Sequence, residues 1–281
     1  MPFGEADICT GPAHHYVRET HPRSRLELRL PALHFAELLP FILVGFAAQL
    51  VDGALGMAFG VISSTLLISL GVPPQFASAG VHAVEVFTTG ASGISHVLHK
   101  NVNWSLFRRL VIPGVIGGVI GAYVITLAAE RARPFVLAYL ICIGLYLLWR
   151  GVRHTHRERR PKVVAPLGFA GGFLDAAGGG GWGPVVTSNL LVQGVEPRKV
   201  IGTVNTAEFF LAVTISTSFI VQLGMQVFTP ALIGLLIGGL AAAPLGGFAA
   251  KRIPARALLV MVGTVLTLTS AYGIYTSFHK G

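Results

Sequence analysis

The chain has 281 residues, 53% of them hydrophobic and only 12% charged, and its mean hydropathy is +0.68. A soluble domain carries charge on about a quarter of its residues, so the composition excludes an ordinary water-soluble fold and points to an all-α polytopic membrane protein. The formal charge of +9 does not imply a nucleic-acid partner, because the basic residues gather in short connecting segments, where cytoplasmic loops of membrane proteins carry them.

Residues 1–36 read as a tail, with Arg18, Arg23, Arg25 and Arg29 scattered among acids and histidines and no pattern of a secretory signal. A first membrane repeat is expected over 37–150. It opens with an apolar run of 33 residues, Leu38 to Leu70, which as one straight helix would be about 50 Å long, far beyond a hydrocarbon core of about 30 Å. Gly53, Gly56 and Gly60 interrupt this run, and a helix-interior glycine costs about 1 kcal/mol against alanine. Two short arms folded back at membrane depth, a re-entrant helical hairpin, are therefore predicted. Ser63, Ser64 and Thr65 lie just beyond the break.

The next helix, 74–97, carries Ser78, His82, Glu85, Thr89, Ser92 and His96 at spacings of 4, 3, 4, 3 and 4. That spacing places all six on one face. Such a face does not look at lipid, and an ionisable residue near the middle of a span marks a cavity, a partner or a proton path. The third span shows small residues at Gly114, Gly117, Gly118 and Gly121, a helix-packing face. Trp104 and Trp149 sit at segment ends as interface anchors. A basic loop, "RGVRHTHRERRPK", follows, with 151–162 as the connection between repeats.

The second repeat, 163–278, is a copy of the first. A shift of 123 residues lays "GFAAQLVDGALGMAFG" on "GFAGGFLDAAGGGGWG", and so Asp52 on Asp175, Gly56 on Gly179, Gly60 on Gly183 and Glu85 on Glu208, without a gap. The second break contains Gly179, Gly180 and Trp182, followed by Thr187, Ser188 and Asn189. Gly234, Gly238, Ala242 and Gly246 repeat the small-residue face. If each hairpin enters and leaves on one side, each half crosses three times and the repeats are inverted. Lys100, Arg108, Arg109, the six cations of 150–162, Arg198, Lys199, Lys251, Arg252 and Arg256 then fall inside, with only Arg131, Arg133 and Lys280 outside among the loops. The tail's four arginines would lie outside, against the rule.

These motifs, the duplicated Gly-Phe…Asp…Gly-rich segment, the Gly-Val-x-Pro that follows it and the second-helix acid of each half, resemble the TauE/SafE sulfite-exporter family of bacterial and plant membrane proteins. The resemblance implies carriage of a small sulfur-containing anion, sulfite or an organosulfonate, across the inner membrane. A related importer type uses cysteines in its pathway loops, and these loops have none. Cys9 and Cys142 lie far apart, and neither a disulfide framework, a metal site nor a cofactor is indicated.

Broken helices expose backbone N–H groups and aim a positive dipole end at the membrane interior, which suits an anion. The expected substrate contacts are Gly56, Gly60, Ser63, Ser64, Gly179, Gly180, Trp182, Thr187, Ser188 and Asn189. Asp52 and Asp175 are expected to cap the free amides of their own breaks. An anion passes a buried carboxylate easily only when that carboxylate is neutral. Glu85, with His82 one turn away, is therefore expected to exchange a proton. Glu208, with Asn205 in place of His82, belongs to the same proton-coupling set, with Glu85 expected to titrate and Glu208 expected to be held by hydrogen bonds. The reading is a secondary carrier that partners the anion, protons and the bilayer. No Walker A sequence supplies an ATP motor, and an intramembrane enzyme using the Asp pair, or an anion channel, are the alternatives. The sequence leaves the oligomeric state open.

Overall fold

Proline opens half of the helices. Its missing N–H costs nothing in a first turn and its fixed φ suits one, and it stands at or next to the first residue of five of the helices below. The computed structural model describes residues 35–128, 131, 133–152, 161–193, 195–224, 229–245 and 255–279. The tail before 35, residues 153–160 of the basic loop, Gly246, Lys251, Arg252 and Lys280 lie outside the described residues.

The first half contains α1 (Phe35–Leu55), α2 (Phe59–Ser69), α3 (Pro74–Leu98), α4 (Trp104–Ala128) and α5 (Arg133–Val152). The second contains α6 (Ala165–Gly178), a π-helical turn Gly183–Thr187 running into α7 (Ser188–Val192), α8 (Pro197–Leu223), α9 (Pro230–Ala242) with a 3-10 turn Ala243–Leu245, and α10 (Ala255–His279). The fold is all-α, with no strand among the described residues. Among the described residues, three helices, Trp104–Ala128, Pro134–Val152 and Arg198–Leu223, are long and apolar enough to cross a membrane. α3 is also 25 residues long, but its buried polar stripe lowers its hydropathy. Outward-facing Leu127 and Phe135, 84% and 76% exposed, suit lipid rather than water.

Both long apolar runs are broken where the glycines predict. Gly56 and Gly179 take matching left-handed conformations, φ +67° and +69°, and their amides bond back to the carbonyls of Asp52 and Asp175 at 2.6 and 2.7 Å. This is the αL stop that glycine permits. The second segment is a helical hairpin whose ends are tied together. Gln193, just past α7, accepts from the Lys162 and Val163 amides at 2.8 and 3.2 Å, before α6 begins. The first segment departs from two short arms: α1 has 21 residues, about 31 Å at helical rise, because it starts at Phe35 and runs through Pro40. The third span of the second half is also shorter than expected, since α9 stops after 13 residues and tightens into the 3-10 turn at Ala243.

Packing between the halves is reciprocal. α4 lies on α6 and α9 lies on α1, while α3 packs on α8 and α5 on α10. Along the α3–α8 contact, Gly93 faces Thr206 and Gly90 faces Phe209; along α5–α10, Gly144 faces Thr267 and Gly151 faces Val260. In both pairs one residue number rises as the other falls, so sequence-equivalent helices run antiparallel. Gly114, Gly117, Gly118 and Gly121 press α4 onto the backbone of Phe169, Gly172 and Phe173 and the Ile215 side chain, and Gly234 and Gly238 press α9 onto Leu38, Phe41 and Ile42. These are the packing faces that the small residues predicted.

The basic segments meet in space. Arg198 Nε donates to Asn101 Oδ1 and Lys199 Nζ to the Lys100 carbonyl, both at 2.6 Å. Asn103 caps α4 with bonds of 3.1 and 3.2 Å from the Ser105 and Leu106 amides, and its own amide donates to Thr203 Oγ1.

Candidate functional site

The two breaks touch. A β-carbon on Gly60 would fall 2.9 Å from the Gly179 carbonyl oxygen and 3.1 Å from Gly180 Cα, and one on Gly183 would fall 2.6 Å from Met57 Cα. No side chain fits between the two strands of backbone, so glycine at these positions is a condition for the halves to meet. Thr187 Oγ1 crosses the junction to the Gly56 carbonyl at 2.9 Å.

At the second break the amides expected to await an anion are already engaged. Asp175 Oδ1 accepts from the Gly181 and Trp182 amides at 2.7 and 2.9 Å. The protein's own carboxylate fills the nest that the helix ends create, which is the capping role expected of it. At the first break the cap is looser, with the Phe59 amide 3.5 Å from Asp52 Oδ1. The difference follows from local shape. Gly181 lets two consecutive amides turn toward one oxygen, whereas the equivalent Ala58 sits at φ +152°.

α3 supplies the polar face. Ser78, His82, Glu85 and Thr89 are buried, while Ser92 and His96 are only half-buried near the helix end. Ser78 Oγ donates to the Ala176 carbonyl at 2.6 Å. His82 Nδ1 donates to the Ser78 carbonyl at 2.8 Å, and Nε2 lies 3.1 Å from Asp175 Oδ2. Both ring nitrogens thus face acceptors, the pattern of an imidazolium. Sequence reasoning paired His82 with Glu85; that distance is 3.9 Å, and the shorter partner is Asp175, 93 positions away. Glu85 lies against the junction itself, since a β-carbon on Gly60 would come 2.8 Å from its Oε1.

The remaining expected contacts divide. Asn189 Nδ2 is taken by the Val185 carbonyl at 2.7 Å, and Ser188 Oγ points at Met57 Sδ, 3.7 Å away. Ser64 Oγ makes one long bond, 3.4 Å, to the Val61 carbonyl. Ser63 and Thr65 on α2 keep buried hydroxyls with no partner. Trp182, also among the expected contacts, is wholly buried, donates Nε1 to the Val204 carbonyl at 3.2 Å and wedges against Gly114 of α4. Glu208, expected to be held by hydrogen bonds, leaves Oε2 without a partner. Asn205 turns its amide onto its own helix, to the Ile201 carbonyl, instead of reaching the carboxylate.

Arg150 was not expected here. It stands at the end of α5 beside the basic loop, yet it is buried and its guanidinium donates to the Ser188 carbonyl at the start of α7. A lone arginine at the end of an apolar run reads as a loop cation, and nothing in its spacing marks the contact. Among the described residues no group of three histidines, cysteines or acids could hold a metal ion.

The sequence that builds this site has relatives. Residues 41–273 match the family model of the sulfite exporter TauE/SafE proteins. The chain belongs to that family. Its relatives include the probable membrane transporter protein YtnM of Bacillus subtilis, 40% identical over 245 residues that cover 84% of this chain and 82% of YtnM. Sulfite exporter TauE/SafE family protein 3 of Arabidopsis thaliana is 28% identical over 112 residues, 40% of this chain and 24% of the plant protein. No solved structure matches the chain. The TauE/SafE protein described here is a multi-pass membrane protein of a transporter family, and the touching breaks lie wholly within the matched region.

Proposed function

We propose that this TauE/SafE protein is a secondary carrier that moves a small sulfur-containing anion, sulfite or an organosulfonate, across the inner membrane in exchange with protons. The observation that carries the reading is the meeting of the two helix breaks inside a buried polar core. Two half-helices there begin close together, and their dipoles favour negative charge. The family's name and that of the plant relative support sulfite as the first substrate to test.

The reading treats the two repeats as inverted, with the basic segments in the cytoplasm. The antiparallel run of equivalent helices supports this, as do the contacts of Arg198 and Lys199 with the 100–101 turn. Gly60, Gly179 and Gly180 face filled space in the present arrangement and Gly56 faces Ile201 and Asn205, so an anion reaches their backbone only when the two breaks part. Ser64, which lies against Gly179, and Thr187, which bonds across to Gly56, stand at the junction, with Ser188 beside it and the buried hydroxyls of Ser63 and Thr65 without another partner as further donors on α2. Asp175 occupies the amides in the present arrangement, so an anion entering the second break must displace that carboxylate or use donors beside it. His82, Glu85 and Glu208 supply the titrating group that an anion-proton cycle needs.

Counterflow in proteoliposomes tests this, with sulfite, sulfate, sulfoacetate and taurine offered separately. Sulfite or sulfoacetate exchange that saturates, and that an imposed proton gradient drives uphill, is the expected result. Flux of none of the four, or a conductance that does not saturate, would refute the carrier.

A further inference from the structure

The two halves differ at one position that matters electrically. In one half His82 reaches Asp175 at 3.1 Å and stands 3.9 Å from Glu85, so one ring serves two carboxylates. The shift of 123 puts Asn205 at the place of His82, Glu208 at that of Glu85 and Asp52 at that of Asp175. Asn205 occupies the corresponding spot against the other break, since a β-carbon on Gly56 would lie 3.3 Å from its Nδ2. It brings no charge.

The consequence is a pair of acceptors with nothing to accept. Asn205 Nδ2 donates to the Ile201 carbonyl at 3.1 Å. That bond fixes the orientation of the amide, because the flipped form would set two oxygens against each other. Its Oδ1 is then buried without a partner, and one turn further along the same helix face Glu208 Oε2 is buried without a partner too. The residues are 0% and 6% exposed. A buried acceptor left unmade costs about 1–3 kcal/mol, and more when it is charged, so two on adjacent turns call for a missing hydrogen.

The groups facing Glu208 from the neighbouring helices are Asp52 of α1, Glu85 of α3 and Asp175 of α6. All are carboxylates. Of the buried cations, His82 is already shared by two of them and the Arg150 guanidinium is taken by the Ser188 carbonyl. α9 carries no ionisable residue, and Arg108 and Arg109 of α4 are exposed. A metal ion does not answer the need, since no three acidic, histidine or cysteine side chains stand at ligand spacing among the described residues. One proton does: on Glu208 it turns the carboxylate into a hydroxyl donor, and residues three apart on a helix share a face, so Asn205 Oδ1 is the acceptor within its reach.

We propose that Glu208, three residues beyond Asn205 on the same helix, and not Glu85, is the site of the exchangeable proton. This reverses the roles that sequence alone suggests for the two glutamates. It rests on the reading of the chain as a proton-coupled carrier, so the first test uses no transport. Infrared difference spectra of the purified full chain across a pH jump will show the carbonyl stretch of a protonated carboxyl group in the wild type and in Glu85→Gln, and will lose it in Glu208→Gln. Asn205→Leu will shift the frequency of the band by removing its acceptor, which a merely structural glutamate would not do. Asn205→His, which recreates the imidazole of the other half, will remove the band while the protein stays folded. A band that survives Glu208→Gln and vanishes in Glu85→Gln overturns the proposal. In proteoliposomes loaded with sulfite, Glu208→Gln will keep exchange at equal concentrations and lose accumulation driven by a pH gradient. Gradient-driven accumulation at the wild-type level in Glu208→Gln also overturns it.

Discussion

Replacing Gly179 by alanine measures how tightly the two breaks are pressed together. Gly179 sits at φ +69°, and a β-carbon there would lie 2.6 Å from Ser64 Cβ and 3.2 Å from Ser78 Cα. Two costs add. A non-glycine residue in the left-handed region costs about 1–2 kcal/mol, and a methyl group forced into a filled interior costs about 1–3 kcal/mol more. Gly71 provides the control, since it has φ +100° and nothing within 4 Å of the added carbon, so Gly71→Ala carries only the conformational cost. Gly179→Ala should therefore lose about 2–5 kcal/mol and Gly71→Ala about 1–2 kcal/mol, and the difference isolates the contact between the halves. The assay is unfolding of the purified protein in detergent, followed by tryptophan fluorescence, because Trp182 lies in the break and reports its opening. Sulfite counterflow at matched protein amounts gives the functional counterpart, with Gly179→Ala impaired and Gly71→Ala near the wild type. If the two variants unfold together, the junction is looser than its geometry states and the argument for close backbone approach fails.

Asp175→Asn should reduce the yield of folded protein more than Asp52→Asn, because Asp175 holds two amides at 2.7 and 2.9 Å and His82 at 3.1 Å, whereas the Phe59 amide stands 3.5 Å from Asp52 and no imidazole among the described residues reaches it. Size-exclusion profiles of solubilised protein at equal expression will rank them, with about 3–5 kcal/mol at stake for breaking a buried pair and about 1 kcal/mol for a weak cap. A cycle of His82→Leu, Asp175→Asn and the double variant should show coupling of about 0.5–3 kcal/mol, and strict additivity would mean that the 3.1 Å contact contributes nothing. Gly117→Leu should abolish folded protein by driving into the Phe169 backbone, while the neighbouring Ile116→Leu, half exposed, leaves it unchanged. Single cysteines at Lys100, Lys162 and Lys199, in a background without Cys9 and Cys142, should all label from the cytoplasmic side; labelling of any one from outside contradicts the inverted arrangement.

Much of the fold was legible before any coordinates. An apolar run too long for one crossing and studded with glycine has to break, and the cost of glycine in a helix is local, so Gly56 and Gly179 could be found by inspection. The small-residue faces on α4 and α9 follow from helical periodicity in the same way, and the register shift of 123 exposes the duplication because it compares the chain only with itself. Capping by Asp52 and Asp175 was also readable, since each lies a few residues from the amides it serves.

Tertiary structure decided what each polar group faces. His82 and Asp175 are 93 positions apart, Thr187 and the Gly56 carbonyl 131, and Arg150 and Ser188 38; no periodicity links residues on different helices. The alignment makes Glu85 and Glu208 look alike, yet one stands beside an imidazole and the other beside an amide that has turned away. Sequence determines where this chain bends and which faces are small or polar, because those preferences act within a turn or two of helix. Which carboxylate finds a cation depends on how the two halves pack, because a hydrogen bond reaches only about 3 Å and the helices have to arrive before it can form.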